Sequence, residues 1–190
     1  MIKIGILGDI GSGKSYVAKN FGFPVFNADA EVGKLYKKDK EIFKKLKKIL
    51  PKYIYSFPIN KNEISQSILA NNSNLKKIIK IVHPKIKKKM NIFLKNNINK
   101  KIVILDIPLL LENKINEKKD ILVFVQSKKI DISKILTKRK KFNPKLLRKF
   151  RNIQLPLEYK KKKSQFIVKN NFTKKSVKQG VKMVLKEILQ

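Results

Sequence analysis

Eight residues near the start of the chain, Gly8-Asp9-Ile10-Gly11-Ser12-Gly13-Lys14-Ser15, constrain its fold more than any other feature. Glycine, four residues, then Gly-Lys-Ser is the pattern of a loop that turns successive backbone N–H groups inward around phosphate oxygens. Such a loop needs conformations that a Cβ atom opposes. The chain has only 7 glycines, and four of them fall between Gly5 and Gly13, so their clustering is not a by-product of composition. Ahead of the motif, Ile2 to Leu7 is an apolar run broken only by Lys3 and Gly5, and it reads as a buried strand. Behind it, Ser15 to Phe21 reads as a helix. Strand, loop and helix in that order are the context a phosphate loop requires. Lys14 then reaches the β and γ phosphates, and the Ser15 hydroxyl completes a Mg²⁺ shell.

The rest of the chain continues the alternation. Pro24 to Asn27 predicts a short second strand, Ile102 to Ile107 a third, Ile121 to Val125 a fourth and Phe166 to Val168 a fifth. Between the second and third, apolar residues recur at helical spacing from Ala30 to Leu50. Past a break at Pro51 to Pro58, three helical pieces follow: Ile64 to Leu69, Leu75 to Val82 and Ile86 to Leu94. Ile130 to Phe150 is basic and helical with a break at Asn143-Pro144, and Val177 to Ile188 gives a closing amphipathic helix. Strands alternating with helices predict an α/β fold with a five-stranded parallel sheet, built from right-handed crossovers. We expect one domain over residues 1–190, with a helical insertion at about 58–97 and a helical lid at about 138–163.

Composition removes several functional classes. There is no cysteine and His83 is the only histidine, which excludes disulfides, thiolate chemistry and polyhistidine metal centres. Asp106 interrupts the longest apolar stretch, Ile102 to Leu111, far short of a bilayer span, and Asp9 cuts the first apolar run short. The expectation is a soluble cytoplasmic protein. The net charge of +34 invites a nucleic-acid partner. Lysine is nevertheless spread through almost every segment, and the aromatic residues form no recurring stacking module. General drift toward lysine suits that pattern as well as a binding surface does and is the favoured reading, so no obligatory nucleic-acid partner is expected.

Acidic residues stand where two predicted strands end, and ligands of open parallel sheets bind beyond those ends. Asp29 follows the second strand and is a candidate for orienting or deprotonating an acceptor hydroxyl. Its alternative use is as the N-cap of the helix that follows. Asp106 ends the third strand and is a candidate for outer-shell contact to Mg²⁺, with Ser15 in the inner shell. The arginines are equally informative. Of 47 basic residues only Arg139, Arg148 and Arg151 are arginine, all in one basic helical stretch. Arginine offers planar, bidentate phosphate contact that lysine does not, so Arg139 is the candidate for stabilising transferred charge from a closing lid.

The ordered segments Leu7 to Ser15, Asn27-Ala28-Asp29, Val82-His83-Pro84-Lys85-Ile86, Asp106-Ile107-Pro108-Leu109-Leu110-Leu111-Glu112-Asn113 and Gln154-Leu155-Pro156-Leu157-Glu158, with Ile167 to Asn171 after them, resemble the signatures of the dephospho-CoA kinase family over nearly the whole chain. The resemblance implies ATP with Mg²⁺ and phosphorylation of the ribose 3′-hydroxyl of dephospho-CoA, the last step of coenzyme A synthesis. It also implies a nucleotide-kinase core, a helical CoA-binding region and a lid. By position it places Gly8, Gly11, Ser12, Gly13, Lys14, Ser15, Tyr16, Arg139 and Asn171 at ATP, Asn171 in the loop that meets adenine. Asp29, Lys61, His83, Pro108, Leu109 and Glu112 fall at the acceptor, and Asp29, Lys14 and Arg139 are the catalytic set. Several residues depart from the family pattern: Asp9 replaces a glycine, Asn27 the first aspartate of Asp-Ala-Asp, Lys61 an arginine, and Gln165 and Lys169 two aspartates. Asp9 brings a carboxylate to the phosphate loop, and we expect it to point away. Two other readings stay open: a different small-molecule or nucleoside-monophosphate kinase of this fold, and a basic NTP-binding protein associated with nucleic acid. The sequence leaves oligomeric state open.

Overall fold

The computed structural model describes residues 1–140 and 142–190; residue 141, inside the expected lid, lies outside the described residues. In chain order the elements are β1 (Ile2–Gly8), α1 (Lys14–Asn20), β2 (Val25–Asn27), α2 (Ala28–Lys38), α3 (Lys40–Ile49), α4 (Lys61–Ala70), α5 (Asn72–Asn96), β3 (Ile102–Asp106), β4 (Ile121–Gln126), α6 (Lys129–Thr137), α7 (Pro144–Arg151), α8 (Leu157–Lys163), β5 (Phe166–Lys169) and α9 (Lys174–Leu189). They fall into two compact units. One takes Met1–Asn27, Asn97–Phe142 and Ile153–Gln190, and the other takes Ala28–Asn96 and Asn143–Asn152.

The first unit holds a parallel five-stranded sheet in the order β2-β3-β1-β4-β5. Its three central strands, β1, β3 and β4, are almost continuously apolar and buried, as a parallel sheet covered on both faces requires. On one face Ile4, Ile6, Ile104, Val123 and Val168 pack with Val17, Ala18 and Phe21 of α1 and with Val177, Val181 and Val184 of α9. The two interruptions of β1 belong to the opposite face, since side chains alternate along a strand. A Cβ on Gly5 would stand 2.5 Å from Leu110 Cδ2, so glycine makes room for the fully buried Leu110 of the turn after β3. Lys3, 9% exposed, places its ammonium 2.5 Å from Glu117 and 3.3 Å from Asp120. Burial opposes its charge, but those two carboxylates outweigh burial and raise the Lys3 pKa. A lysine is tolerated in the central strand because the loop before β4 brings it two counter-charges.

The second unit is helical. The predicted helical run from Ala30 to Leu50 is two helices, because Asp39 ends α2 and caps α3, its carboxylate accepting the Ile42 N–H at 3.0 Å. The segment between α3 and α4 is fastened by Glu63, whose carboxylate accepts the Tyr55 and Ser56 N–H groups and the Ser56 hydroxyl. Desolvation works against this carboxylate, yet the Ser56 hydroxyl and the amides around it hold its pKa below the usual range.

The helical pieces Leu75 to Val82 and Ile86 to Leu94 are one helix, α5, which runs through Pro84. Proline removes one backbone bond and costs about 3 kcal/mol inside a helix. Against that, the stripe Leu75, Ile78, Val82, Ile86 and Met90 is buried on both sides of the proline. At about 1.5–3 kcal/mol per buried side chain, packing outweighs the break.

The expected insertion at 58–97 corresponds to α4 and α5, while their compact unit also takes in α2, α3 and α7. The expected lid is divided in the same way. Residues 143–152, with α7, group with the helices, and residues 153–163, with α8, group with the sheet. Among the described residues no helix is long and apolar enough to cross a membrane.

Candidate active site

β1 lies between β3 and β4, so the loop that leaves it opens at the centre of the sheet's carboxyl edge, where chain connections diverge to either side. Gly8 (φ 145°), Gly11 (φ 88°) and Gly13 (φ 87°) adopt conformations that side chains resist. Each is also crowded. An added Cβ would meet the Val125 carbonyl at 2.7 Å from Gly8, Leu136 at 2.9 Å from Gly11, and Asn170 Nδ2 at 2.3 Å from Gly13. The glycine pattern is therefore fixed twice, by torsion and by packing.

Lys14 donates to the carbonyls of Gly8 (3.1 Å) and Asp9 (2.7 Å), so its ammonium sits across the loop that it follows. The Asp9 carboxylate, expected to turn away, stays at the loop and accepts the Ile10 N–H at 2.7 Å. Ser12 is 1% exposed, and its carbonyl accepts from Ser127 Oγ (3.1 Å) and Asn170 Nδ2 (2.9 Å). Ser15 and Tyr16 open α1 and are exposed.

Beside the loop, β2 and β3 end in register at Asn27 and Asp106. Asn27 Nδ2 donates to Asp106 Oδ2 at 2.5 Å and lies 3.5 Å from Ser15 Oγ. An amide in place of the family's first aspartate thus links the loop serine to the strand-end carboxylate. An aspartate at position 27 would instead set a second carboxyl group against Asp106, without the amide N–H that Asn27 donates. Arg139 is exposed, three residues after Leu136. Ile132 and Leu136 of α6 pack on Gly11, so this arginine follows a helix that itself rests on the phosphate loop.

The remaining candidates fall in several places. Pro108 and Leu109 are half-buried in the turn after β3. Glu112, assigned to the acceptor by resemblance, directs Oε1 to the Leu155 N–H (3.0 Å) and to the ammonium of Lys160 (2.6 Å). Asn171, assigned to adenine, accepts the N–H (3.2 Å) and hydroxyl (2.7 Å) of Thr173. In the helical unit, Asp29 is exposed and lies in the first turn of α2. Burial, with the Asp29 charge added to it, raises the pKa of Tyr36 two helical turns further along. Lys61 opens α4 and is exposed, and the buried Nε2 of His83 has no hydrogen-bond partner among the described residues.

Ser127, Asn170 and Lys160 were not anticipated. The first two stand just past the ends of β4 and β5, so the rule that singled out Asp29 and Asp106 at strand ends would have found them too. No local signal marks Lys160, which is one lysine in a run of four.

Comparison with known proteins agrees with this geometry. The dephospho-CoA kinase family model matches residues 2–176. The chain is 33% identical over 187 residues to a dephospho-CoA kinase of Wolbachia pipientis wMel, covering 96% of this chain and 95% of that protein. Among solved structures it resembles TT1252 from Thermus thermophilus, with a TM-score of 0.78 and 25% identity over 98% of this chain and 97% of the other. A dephospho-CoA kinase from Campylobacter jejuni shares the fold at a TM-score of 0.63 and 22% identity, over 98% and 96% of the two chains. A phosphate loop at the centre of a parallel sheet, with a strand-end carboxylate linked to its serine, is thus matched by likeness along almost the whole sequence, and the chain belongs to the dephospho-CoA kinase family.

Proposed function

We infer that this chain transfers the γ-phosphoryl group of ATP to dephospho-CoA, giving coenzyme A. The observation that carries the reading is the phosphate loop with its Ser15–Asn27–Asp106 connection, present in a chain matched to this family over residues 2–176. Phosphoryl transfer needs little covalent help from a protein; it needs the transferring group positioned and its charge neutralised. In this reading the loop N–H groups and Lys14 hold the β and γ phosphates. Arg139 neutralises charge on the group in flight.

Mg²⁺ fits the donors present. Ser15 offers a hydroxyl and Asp106 a carboxylate one amide away, a hard oxygen set of the kind this ion takes. Ser15 would hold it directly and Asp106 through water. When bound, it neutralises charge on the β and γ oxygens.

Asp29 is the proposed base for the ribose 3′-hydroxyl. Its exposure and its place just after the strand end support that role. His83 is proposed to contact the acceptor, because a buried ring nitrogen lacking a partner calls for one. Lys61, Pro108, Leu109 and Glu112 are each proposed to contact the acceptor, Glu112 through Oε2 while its Oε1 fastens the 154–160 segment.

The test is ADP release with ATP, Mg²⁺ and dephospho-CoA, with shikimate, CMP and adenosine as alternative acceptors. Release that depends on dephospho-CoA, with coenzyme A identified by mass, is the expected result. Release with another acceptor alone would overturn the substrate. Asp29→Asn should lower kcat about 10²-fold while leaving the KM for ATP near that of the unaltered protein. Near-normal turnover in that variant removes Asp29 from the chemistry.

A further inference from the structure

The Ser12–Gly13 peptide is held in a way that phosphate binding alone does not require. Its carbonyl accepts two hydrogen bonds, from Asn170 Nδ2 at 2.9 Å and from Ser127 Oγ at 3.1 Å. Asn170 is itself fixed at both ends. It is 3% exposed, its N–H donates to the Gln126 carbonyl at 2.8 Å, and its Oδ1 accepts the Phe172 N–H at 2.8 Å. Phe172 has φ 62°, a left-handed conformation uncommon for a residue with a ring. That turn carries the Phe172 N–H back onto Asn170. The space for the amide exists because residue 13 is glycine: its Cβ would stand 2.3 Å from Nδ2.

The consequence follows from peptide geometry. The only cis peptide is Phe57–Pro58 among the described residues, so the Ser12–Gly13 unit is trans and its N–H points opposite to its carbonyl. Two donors on the carbonyl fix the plane of that peptide. They also polarise it, which strengthens the N–H on the other side as a donor to an anion. We propose that Asn170, assisted by Ser127, is a positioning residue for phosphate: through the Ser12 carbonyl it aims and polarises the Gly13 N–H, without itself touching nucleotide. This deepens the kinase reading and rests on it for the identity of the anion.

The informative variant is Asn170→Asp. It keeps the shape and the acceptor for Phe172, but it replaces the donor to Ser12 with an oxygen. The probes are inorganic tripolyphosphate and ADP, titrated by calorimetry into the full-length chain across pH, each result expressed relative to the unaltered protein at the same pH. At neutral pH we expect tripolyphosphate and ADP affinity to fall together by about 10-fold, the scale of a lost buried hydrogen bond. On acidification the ratio should recover, since a protonated aspartate again donates to the carbonyl. Ser127→Ala should weaken both ligands by about 3-fold in the same direction. The KM for dephospho-CoA should not move.

A loss confined to ADP, with tripolyphosphate unaffected, would place Asn170 at the base and overturn the proposal. A loss equal at every pH would reduce Asn170 to a packing role and also overturn it. If Asn170→Asp does not fold, unchanged tripolyphosphate affinity in Ser127→Ala is sufficient to reject the mechanism. Failure of the underlying reading shows separately, as absence of dephospho-CoA-dependent ADP release by the unaltered protein.

Discussion

Lys14→Met is expected to lower kcat/KM for ATP by about 10³-fold, the upper range for removing one preorganised donor from a site of developing charge. Methionine keeps the length and apolar character of the side chain, so the loss reports the ammonium alone. The chain carries 44 lysines and a net charge of +34, which makes this a sharp test. If a general positive field neutralised the phosphates, neighbouring lysines would cover for Lys14 and the loss would stay within about tenfold. If placement decides, abundance is irrelevant, because charges in water are screened beyond about 10 Å at ordinary salt. The geometry favours placement. The Lys14 ammonium lies on the carbonyls of Gly8 and Asp9, within the loop that would receive the phosphates. Steady-state kinetics at two salt concentrations separates the cases: a screened field loses its effect with salt, and a positioned ammonium keeps most of it.

What the sequence disclosed and what it hid divide along a physical line. Short-range information was legible. Glycines 8, 11 and 13 announced the loop because its backbone turns require them whatever packs around them, and all five strands were foreseen from their apolar residues. Helix boundaries were less so. Asp39 reads as one more polar residue within a helical run, yet one hydrogen bond to the Ile42 N–H makes it a cap and divides the run in two. Pro84 misleads in the other direction, since local rules end a helix there and tertiary burial of the flanking stripe carries it through. In the site, residues at strand ends could be inferred because topology places them. Which side chain of an adjacent pair points inward could not. Asn170 faces Ser12 while Asn171 turns to Thr173, a choice made by the left-handed turn at Phe172. Lys3 and Gly5 looked like blemishes in a strand until Glu117, Asp120 and Leu110, all more than 100 residues away in sequence, gave each a partner or an occupant.

The same blindness to distant partners concealed Lys160, whose loss should have the largest effect on stability. It is 1% exposed and pairs with Glu112 at 2.6 Å, while the same carboxylate oxygen accepts the Leu155 N–H at 3.0 Å. Gln154 Oε1 stands 3.4 Å from the ammonium. These contacts fasten residues 154–160 to the turn after β3, so they tie the start of α8 to the strand whose end carries Asp106. Lys160→Met leaves the Glu112 carboxylate buried with a single amide, and with Oε2 still lacking a partner among the described residues. Breaking a buried pair on one side costs about 3–5 kcal/mol, a large fraction of the ~5–15 kcal/mol that holds a protein folded. Urea unfolding of Lys160→Met should show a loss of that size in the free energy of unfolding. The double variant Glu112→Leu/Lys160→Met should recover most of it, because desolvating two charges offsets much of what their attraction returns. That recovery separates an unpaired charge from a simple packing defect, in which the double variant would be as unstable as the single or worse. Activity adds a second reading. If Glu112 served the acceptor directly, the stable double variant would lose its affinity for dephospho-CoA. If Glu112 acts only as the anchor, the KM for dephospho-CoA should stay close to that of the unaltered protein once stability is restored.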